Sequence, residues 1–164
     1  MLIFCLVVFA ICAFWFFKKE DNQAGNLIEE SDPNAPKVIT SKDIQSFYIY
    51  AHHFGFQDIK EDSLFEYEII KEEAIILKDL ALKTEEEIDI SILEELQTLI
   101  DKHELALKNG TVSYRVGLAP AYQKLEVRVL YESGEVLSFK ENNDPRADWT
   151  FEIIALLTKK NDNE

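Results

Sequence analysis

The clearest alternation of apolar and polar residues runs from Leu125 to Lys140, LEVRVLYESGEVLSFK, and predicts a β-hairpin whose register follows from the letters. A two-residue loop at Ser133-Gly134 would set Val129 opposite Ser138 and Val127 opposite Lys140, mixing apolar with polar on both faces. A three-residue loop, Glu132-Ser133-Gly134, requires Gly134 in the left-handed conformation of a type I turn plus G1 bulge. It pairs Val129 with Leu137 and Val127 with Phe139 on one face. On the other it sets Glu126 against Lys140 and Arg128 against Ser138, with Leu130 and Val136 as an apolar pair near the turn. Matched cross-strand pairs contribute about 0.2–1 kcal/mol each, so the second register is expected.

The same reading extends along the chain. Ile44 to Phe54 alternates as a strand, with Phe47, Ile49 and Ala51 on one face and Tyr48, Tyr50 and His52 on the other. Leu64 to Ile70 and Ala74 to Leu82 read as two strands joined across Lys71-Glu72-Glu73, with Phe65, Tyr67 and Ile69 on one face. Ser63 and Glu66 also fit a capping box, which keeps a helix open for the first of them. Ser91 and Glu94 form a second capping box, opening a helix whose apolar stripe is Leu93, Leu96, Ile100 and Leu107. Asn109-Gly110 is its stop signal. Val112, Tyr114 and Val116 alternate as a short strand before Gly117 and Pro120 interrupt it. Asp144 as N-cap and Pro145 at the first helical position open a last helix with Trp149, Ile153, Leu156 and Leu157 on its buried stripe. Strands without long helical crossovers point to an α+β domain over residues 38–160, an antiparallel sheet with two helices packed mainly on one face. Residues 161–164 are expected to fray.

The pattern changes at the N-terminus, where the first seventeen residues, MLIFCLVVFAICAFWFF, are all apolar and are followed by Lys18-Lys19. As a helix this run spans about 25 Å, close to the roughly 30 Å hydrocarbon core, with the lysines able to reach the headgroups. It lacks the basic start and small-residue cleavage site of a signal peptide. It also lacks a small residue before Cys5 or Cys12, which a lipoprotein would need. Residues 1–19 are therefore read as a single-pass transmembrane anchor, preceding the domain. Residues 20–37, EDNQAGNLIEESDPNAPK, are polar and carry Gly25, Pro33 and Pro36, which reads as a flexible acidic tether. Lys18 and Lys19 place the domain in the cytoplasm by the positive-inside bias. The absence of a basic residue ahead of the run argues for a start further upstream and reverses that bias. An extracytoplasmic domain is the reading adopted.

Composition narrows the chemistry. Net charge is −14, from 17 basic and 31 acidic residues. Such a surface repels phosphate backbones, so nucleic acid is not an expected partner. Both cysteines lie in the apolar run, leaving the domain no thiolate for catalysis or zinc and no disulfide. His52 and His53 are adjacent on a strand and point to opposite faces, and His103 lies on a helix between Leu99 and Leu107, so no metal and no cofactor is expected. Ser133 with a histidine could be imagined as a hydrolytic pair, yet Ser133-Gly134 already has a turn role and no nucleophile elbow surrounds it. Glu141-Asn142-Asn143-Asp144 offers oxygen ligands without the spacing of a calcium loop. Asn109-Gly110-Thr111 matches the glycosylation sequon, although a helix stop accounts for it equally.

What remains is the row Tyr48, Tyr50 and His52. If helices cover one face of the sheet, this row lies on the open face beside Arg128, and tyrosine and arginine are the residues that dominate interfaces. The expected function is a membrane-tethered, non-catalytic binding or protein-interaction module, with the membrane engaged through residues 1–19 and a protein as the partner of the row. The alternative is a small membrane-bound enzyme, a hydrolase using acidic groups and a histidine.

Overall fold

A computed structural model of the chain describes residues 26–52, 64–115, 124–142 and 148–158. Eight strands form one sheet: β1 (Leu27–Ser31), β2 (Ile44–His52), β3 (Leu64–Lys71), β4 (Ile75–Asp79), β5 (Thr84–Glu87), β6 (Thr111–Arg115), β7 (Lys124–Tyr131) and β8 (Val136–Asn142). Among the described residues two helices accompany them, α1 (Ser91–Lys102) and α2 (Asp148–Thr158), with a 3-10 turn over Leu105–Lys108. The spatial order is β1-β6-β8-β7-β2-β3-β4-β5.

The hairpin takes the three-residue loop. Val129 stands opposite Leu137, Val127 opposite Phe139, Arg128 opposite Ser138 and Glu126 opposite Lys140. Gly134 has φ +85°, and its N–H donates to Tyr131 O at 2.8 Å while Tyr131 N–H donates to Glu135 O at 3.0 Å. β2 then adds to the free edge of β7, and β3 and β4 follow as antiparallel neighbours. Gln45 is an extra residue in β2, because Ile44 faces Tyr131 and Ser46 faces Leu130. That irregularity lets Ile44 and Phe47 both turn into the core despite their odd spacing.

The sheet is mixed and the domain mainly sheet, where the sequence led to an α+β domain with a fully antiparallel sheet. The reason lies in the hairpin. β2 occupies the edge of β7, so β6 has only the edge of β8, and there it runs parallel to β8. β6 also turns its faces over relative to its apolar residues: Thr111 and Ser113 are buried and Val112 is exposed. Thr111 is satisfied there because its hydroxyl donates to Lys108 O at 2.7 Å.

One face of the sheet is closed. Phe47, Ile49 and Ala51 on β2, Val127 and Val129 on β7, and Leu137 and Phe139 on β8 share a single buried cluster with Ile92, Leu96 and Ile100 of α1 and Trp149, Ile153 and Leu157 of α2. Trp149 meets Phe139 edge to face, with centroids 5.6 Å apart. Glu152 of α2 ties the helices together through Lys102 at 2.7 Å, with His103 Nε2 3.3 Å away. α1 is shorter than its stripe implied. It stops at Lys102, Glu104 takes a left-handed conformation, and Leu107 is exposed while Leu105 turns inward. Its first turn is served by Asp89, whose carboxylate accepts the Ser91 N–H at 2.8 Å, in place of the expected Ser91–Glu94 box.

The stretch read as a tether contains β1, which pairs antiparallel with β6 over Leu27–Ser31. All five residues are exposed, so backbone pairing and not apolar burial holds this edge strand. Residues 32–43 continue as a strap across the end of the sheet. Asp32 N–H donates to Gly110 O at 2.9 Å, Lys37 reaches Asn109 O, and Glu135 accepts from the backbone of Thr40 and Ser41. Those two N–H groups, then the Ser133 hydroxyl, hold the Glu135 carboxyl down at about 2. Its folded pKa lies below its unfolded value, so its contribution is present above about pH 4.3 and lost as pH falls toward about 2. The urea midpoint of Glu135→Gln should therefore lie below that of the native chain at neutral pH and converge on it in this acid window. A gap that does not change with pH would exclude this role.

The anchor over residues 1–19 lies outside the described residues, as do His53, the Asp144 cap, Pro145 and the tail. Among the described residues no helix is long and apolar enough to cross a membrane.

Candidate functional site

The open face is built by the outward residues of β2 and their cross-strand neighbours. Tyr48 stands between Arg128 of β7 and Glu68 of β3, Tyr50 between Glu126 and Glu66, and His52 between Lys124 and Leu64. All four residues singled out from the sequence, Tyr48, Tyr50, His52 and Arg128, thus share one face, and Arg128 is the direct partner of Tyr48. Within each strand their outward direction follows from alternation. That β7 would lie beside β2 in this register could not be read locally.

Their contacts fix the side chains. The Arg128 guanidinium carbon lies 5.0 Å from the Tyr48 ring centroid, a cation–π distance. Arg128 Nε donates to Glu126 Oε1 at 2.8 Å, and Lys140 Nζ lies 3.1 Å from the other oxygen of that carboxylate. Burial alone would raise the Glu126 pKa, but the hydrogen bonds from Lys140 and Arg128 outweigh it and hold the group below its usual value. The Tyr48 hydroxyl donates to Glu66 Oε1 at 2.9 Å. Burial, then this bond to a carboxylate, pushes its pKa well above the ordinary tyrosine value, so the hydroxyl stays protonated and serves as a donor. Tyr50 and His52 lie with ring centroids 6.2 Å apart.

Beside the Tyr48–Arg128 pair is a shallow depression of about 330 Å³, walled by Glu68, Leu130 and Val136. Leu130 and Val136 are 36% and 46% exposed and form its apolar side. A planar cation, a phenol ring and an apolar ledge can grip a flat or extended group.

A second concavity, of about 620 Å³, lies at the β4–β5 end, with Tyr67, Asp79, Glu86 and Asp89 among its lining. Asp79 is buried and accepts the Leu82 N–H at 2.8 Å. Burial and this carboxylate push the Tyr67 hydroxyl up to about 12. The sequence reading missed this place because β5, TEEE, is too acidic and too exposed to announce a strand.

The other candidates are engaged elsewhere. Ser133 Oγ donates to Glu135 at 2.9 Å within the turn, and His103 sits beside Glu152. Glu141 is buried and bonded to Lys108 at 2.5 Å, which removes it from a calcium loop; Asn142 ends β8, and residues 143 and 144 lie outside the described ones. Asn109 of the sequon is 3% exposed, with its amide nitrogen bonded to two backbone carbonyls, so it is not accessible to a glycosyl donor. Among the described residues no group of three or more His, Cys, Asp or Glu is placed to hold a metal ion. No family model matches the chain, and neither a curated protein nor a solved structure matches it.

Proposed function

We propose that this chain is a membrane-tethered binding module, a mainly sheet domain that follows a transmembrane helix over residues 1–19 and presents the open face of its sheet to a protein partner. The observation that carries this reading is the assembly of Tyr48, Arg128, Tyr50 and His52 on one face, with Arg128 over the Tyr48 ring at a cation–π distance and bonded to Glu126. An arginine already bonded to Glu126 and placed over a tyrosine ring loses little conformational freedom on binding, which favours affinity. The residues are held by strands and not by a loop, so the surface is preformed. The hydrolase alternative would need a nucleophile beside a histidine–acid pair; His103 has Glu152 3.3 Å away, but Ser133 is bonded to Glu135 within its turn and His52 lies against Tyr50.

The test is site-specific photo-crosslinking in cells that make the full chain. A photoreactive residue at position 50 is expected to give a discrete adduct, and one at Glu95, on an outer position of α1, is expected to give none. Adding Tyr48→Ala or Arg128→Ala should reduce the position-50 adduct, and Arg128→Ala, at an exposed position, should leave the unfolding free energy within about 1 kcal/mol of native. Equal adduct patterns from positions 50 and 95, or an adduct unaffected by both substitutions, would remove the open face as the binding surface.

A further inference from the structure

The cross-strand rows of the open face differ in charge, and the difference has a direction. One row crosses the sheet as Glu30, Val112, Lys140, Glu126, Tyr50 and Glu66, and the next as Ser138, Arg128, Tyr48, Glu68, Lys78 and Glu85. The terminal row is Ile28, Tyr114, Asn142, Lys124, His52 and Leu64, and it contains no carboxylate. In a chain with 31 acids against 17 basic residues that row is the least negative strip of the face. Ile28 and Leu64 are 37% and 39% exposed, and Lys124 is also exposed.

The chain's N-terminal segment enters at this same pole. β1 begins there, since Leu27 faces Arg115, and Arg115 lies at the end of β6. Leu27 follows Phe17, the last residue of the apolar run, by ten positions, which bounds its distance from that run at about 35 Å. Strands of this length rise about 25–30 Å, so the two poles would stand at clearly different heights above a bilayer. The opposite pole carries Asp32, Asp43, Glu72, Glu73, Glu132 and Glu135 against Lys37, Lys42 and Lys71. Near an anionic leaflet an acidic body turns its least negative side inward.

We infer that the Ile28–Tyr114–Asn142–Lys124–His52 rim is the membrane-facing surface of the domain, with Lys124 contacting phospholipid headgroup phosphates and Tyr114 and Ile28 resting at the headgroup level. This rests on the tethered reading above. Tyrosine beside a lysine and an exposed aliphatic residue is the mixture that suits an interface, half polar and half apolar. The attraction is assigned to the β1–β6–β8–β7–β2 part of the rim, because the segment joining β2 to β3 carries Asp58, Glu61 and Asp62. In this orientation Tyr48 and Arg128 sit farther from the bilayer than Lys124, where a partner can reach them.

The test uses the full chain with Cys5→Ser and Cys12→Ser, reconstituted into phosphatidylcholine vesicles with or without phosphatidylglycerol. A fluorophore on Asn142→Cys is compared with one on Ser133→Cys, using a quencher fixed to lipid headgroups. Quenching at position 142 is expected to exceed that at 133, more so with phosphatidylglycerol. Lys124→Gln should lower the ratio of inward to outward orientation about fivefold in anionic vesicles, the factor that corresponds to the roughly 1 kcal/mol of one lysine near such a surface. A chain that floats with the vesicles but is quenched equally at both positions overturns this inference alone. A chain that does not float with them overturns the tethered reading and this inference together.

Discussion

Asn109→Ala is expected to destabilise the domain by about 3–5 kcal/mol, the sum over three partially buried partners left without a hydrogen bond. Asn109 is a junction rather than a surface residue. Its Nδ2 donates to Pro36 O and to Val136 O, both at 2.9 Å, and its Oδ1 accepts from Ser138 N at 2.8 Å. One side chain therefore joins the strap, the start of β8 and the turn before β6. Alanine would leave two carbonyls and one amide facing an apolar gap. Asn109→Asp retains the bond from Ser138 but sets a carboxylate against the two carbonyl oxygens, so it should cost at least as much. Urea denaturation measures both, and proteolysis provides a local readout, since residues 32–43 should become cleavable before the sheet unfolds. A loss below about 1 kcal/mol would mean that water replaces these bonds freely.

How much of this was legible in the letters depends on what holds each element. The β7–β8 hairpin could be registered residue by residue because its pairs differ sharply in polarity and because one glycine fixes the turn. β2, with Phe47, Ile49 and Ala51 inward, was legible for the same reason. The two edge strands were not. Leu27–Ser31 and Thr84–Glu87 bury little and pair through the backbone, which leaves no periodic apolar signature. β6 misled in the opposite way. Its apolar residues alternate, yet Val112 is exposed and Thr111 and Ser113 are buried, because the buried hydroxyl of Thr111 finds Lys108 O. The candidate face was half legible. Alternation placed Tyr48, Tyr50 and His52 together, and Arg128 outward on its own strand. The contact between Tyr48 and Arg128 depends on a pairing eighty residues apart in sequence (Tyr48 with Arg128 in the β2–β7 register), and no local pattern specifies such a pairing. The role of Glu66 as acceptor for Tyr48, and of Glu126 as the group orienting Arg128, follows only from that register.

Gly110 and Gly134, both left-handed, should respond very differently to the same substitution. Gly110 has φ +71° and Gly134 has φ +85°, so alanine at either is strained by about 1–2 kcal/mol. At Gly134 that is the whole expected cost, because an added Cβ would meet nothing within 4 Å. At Gly110 the added Cβ would lie 2.3 Å from Ala35 Cβ and 3.3 Å from Asp32 Cβ. Neither neighbour is the end of a flexible side chain, so the strap itself must move, and overpacking adds about 1–3 kcal/mol. Gly110→Ala should therefore cost about 2–5 kcal/mol in total. The source of the excess can be isolated by adding Ala35→Gly, which removes the nearest atom and leaves the backbone strain in place. The double variant should recover most of the difference between the Gly110 and Gly134 substitutions, a non-additivity of about 1 kcal/mol or more. Strict additivity, or equal urea midpoints for Gly110→Ala and Gly134→Ala, would show that the strap does not press on Gly110 in solution. In that case Asn109 would be holding a loosely seated segment, and its replacement should cost correspondingly less.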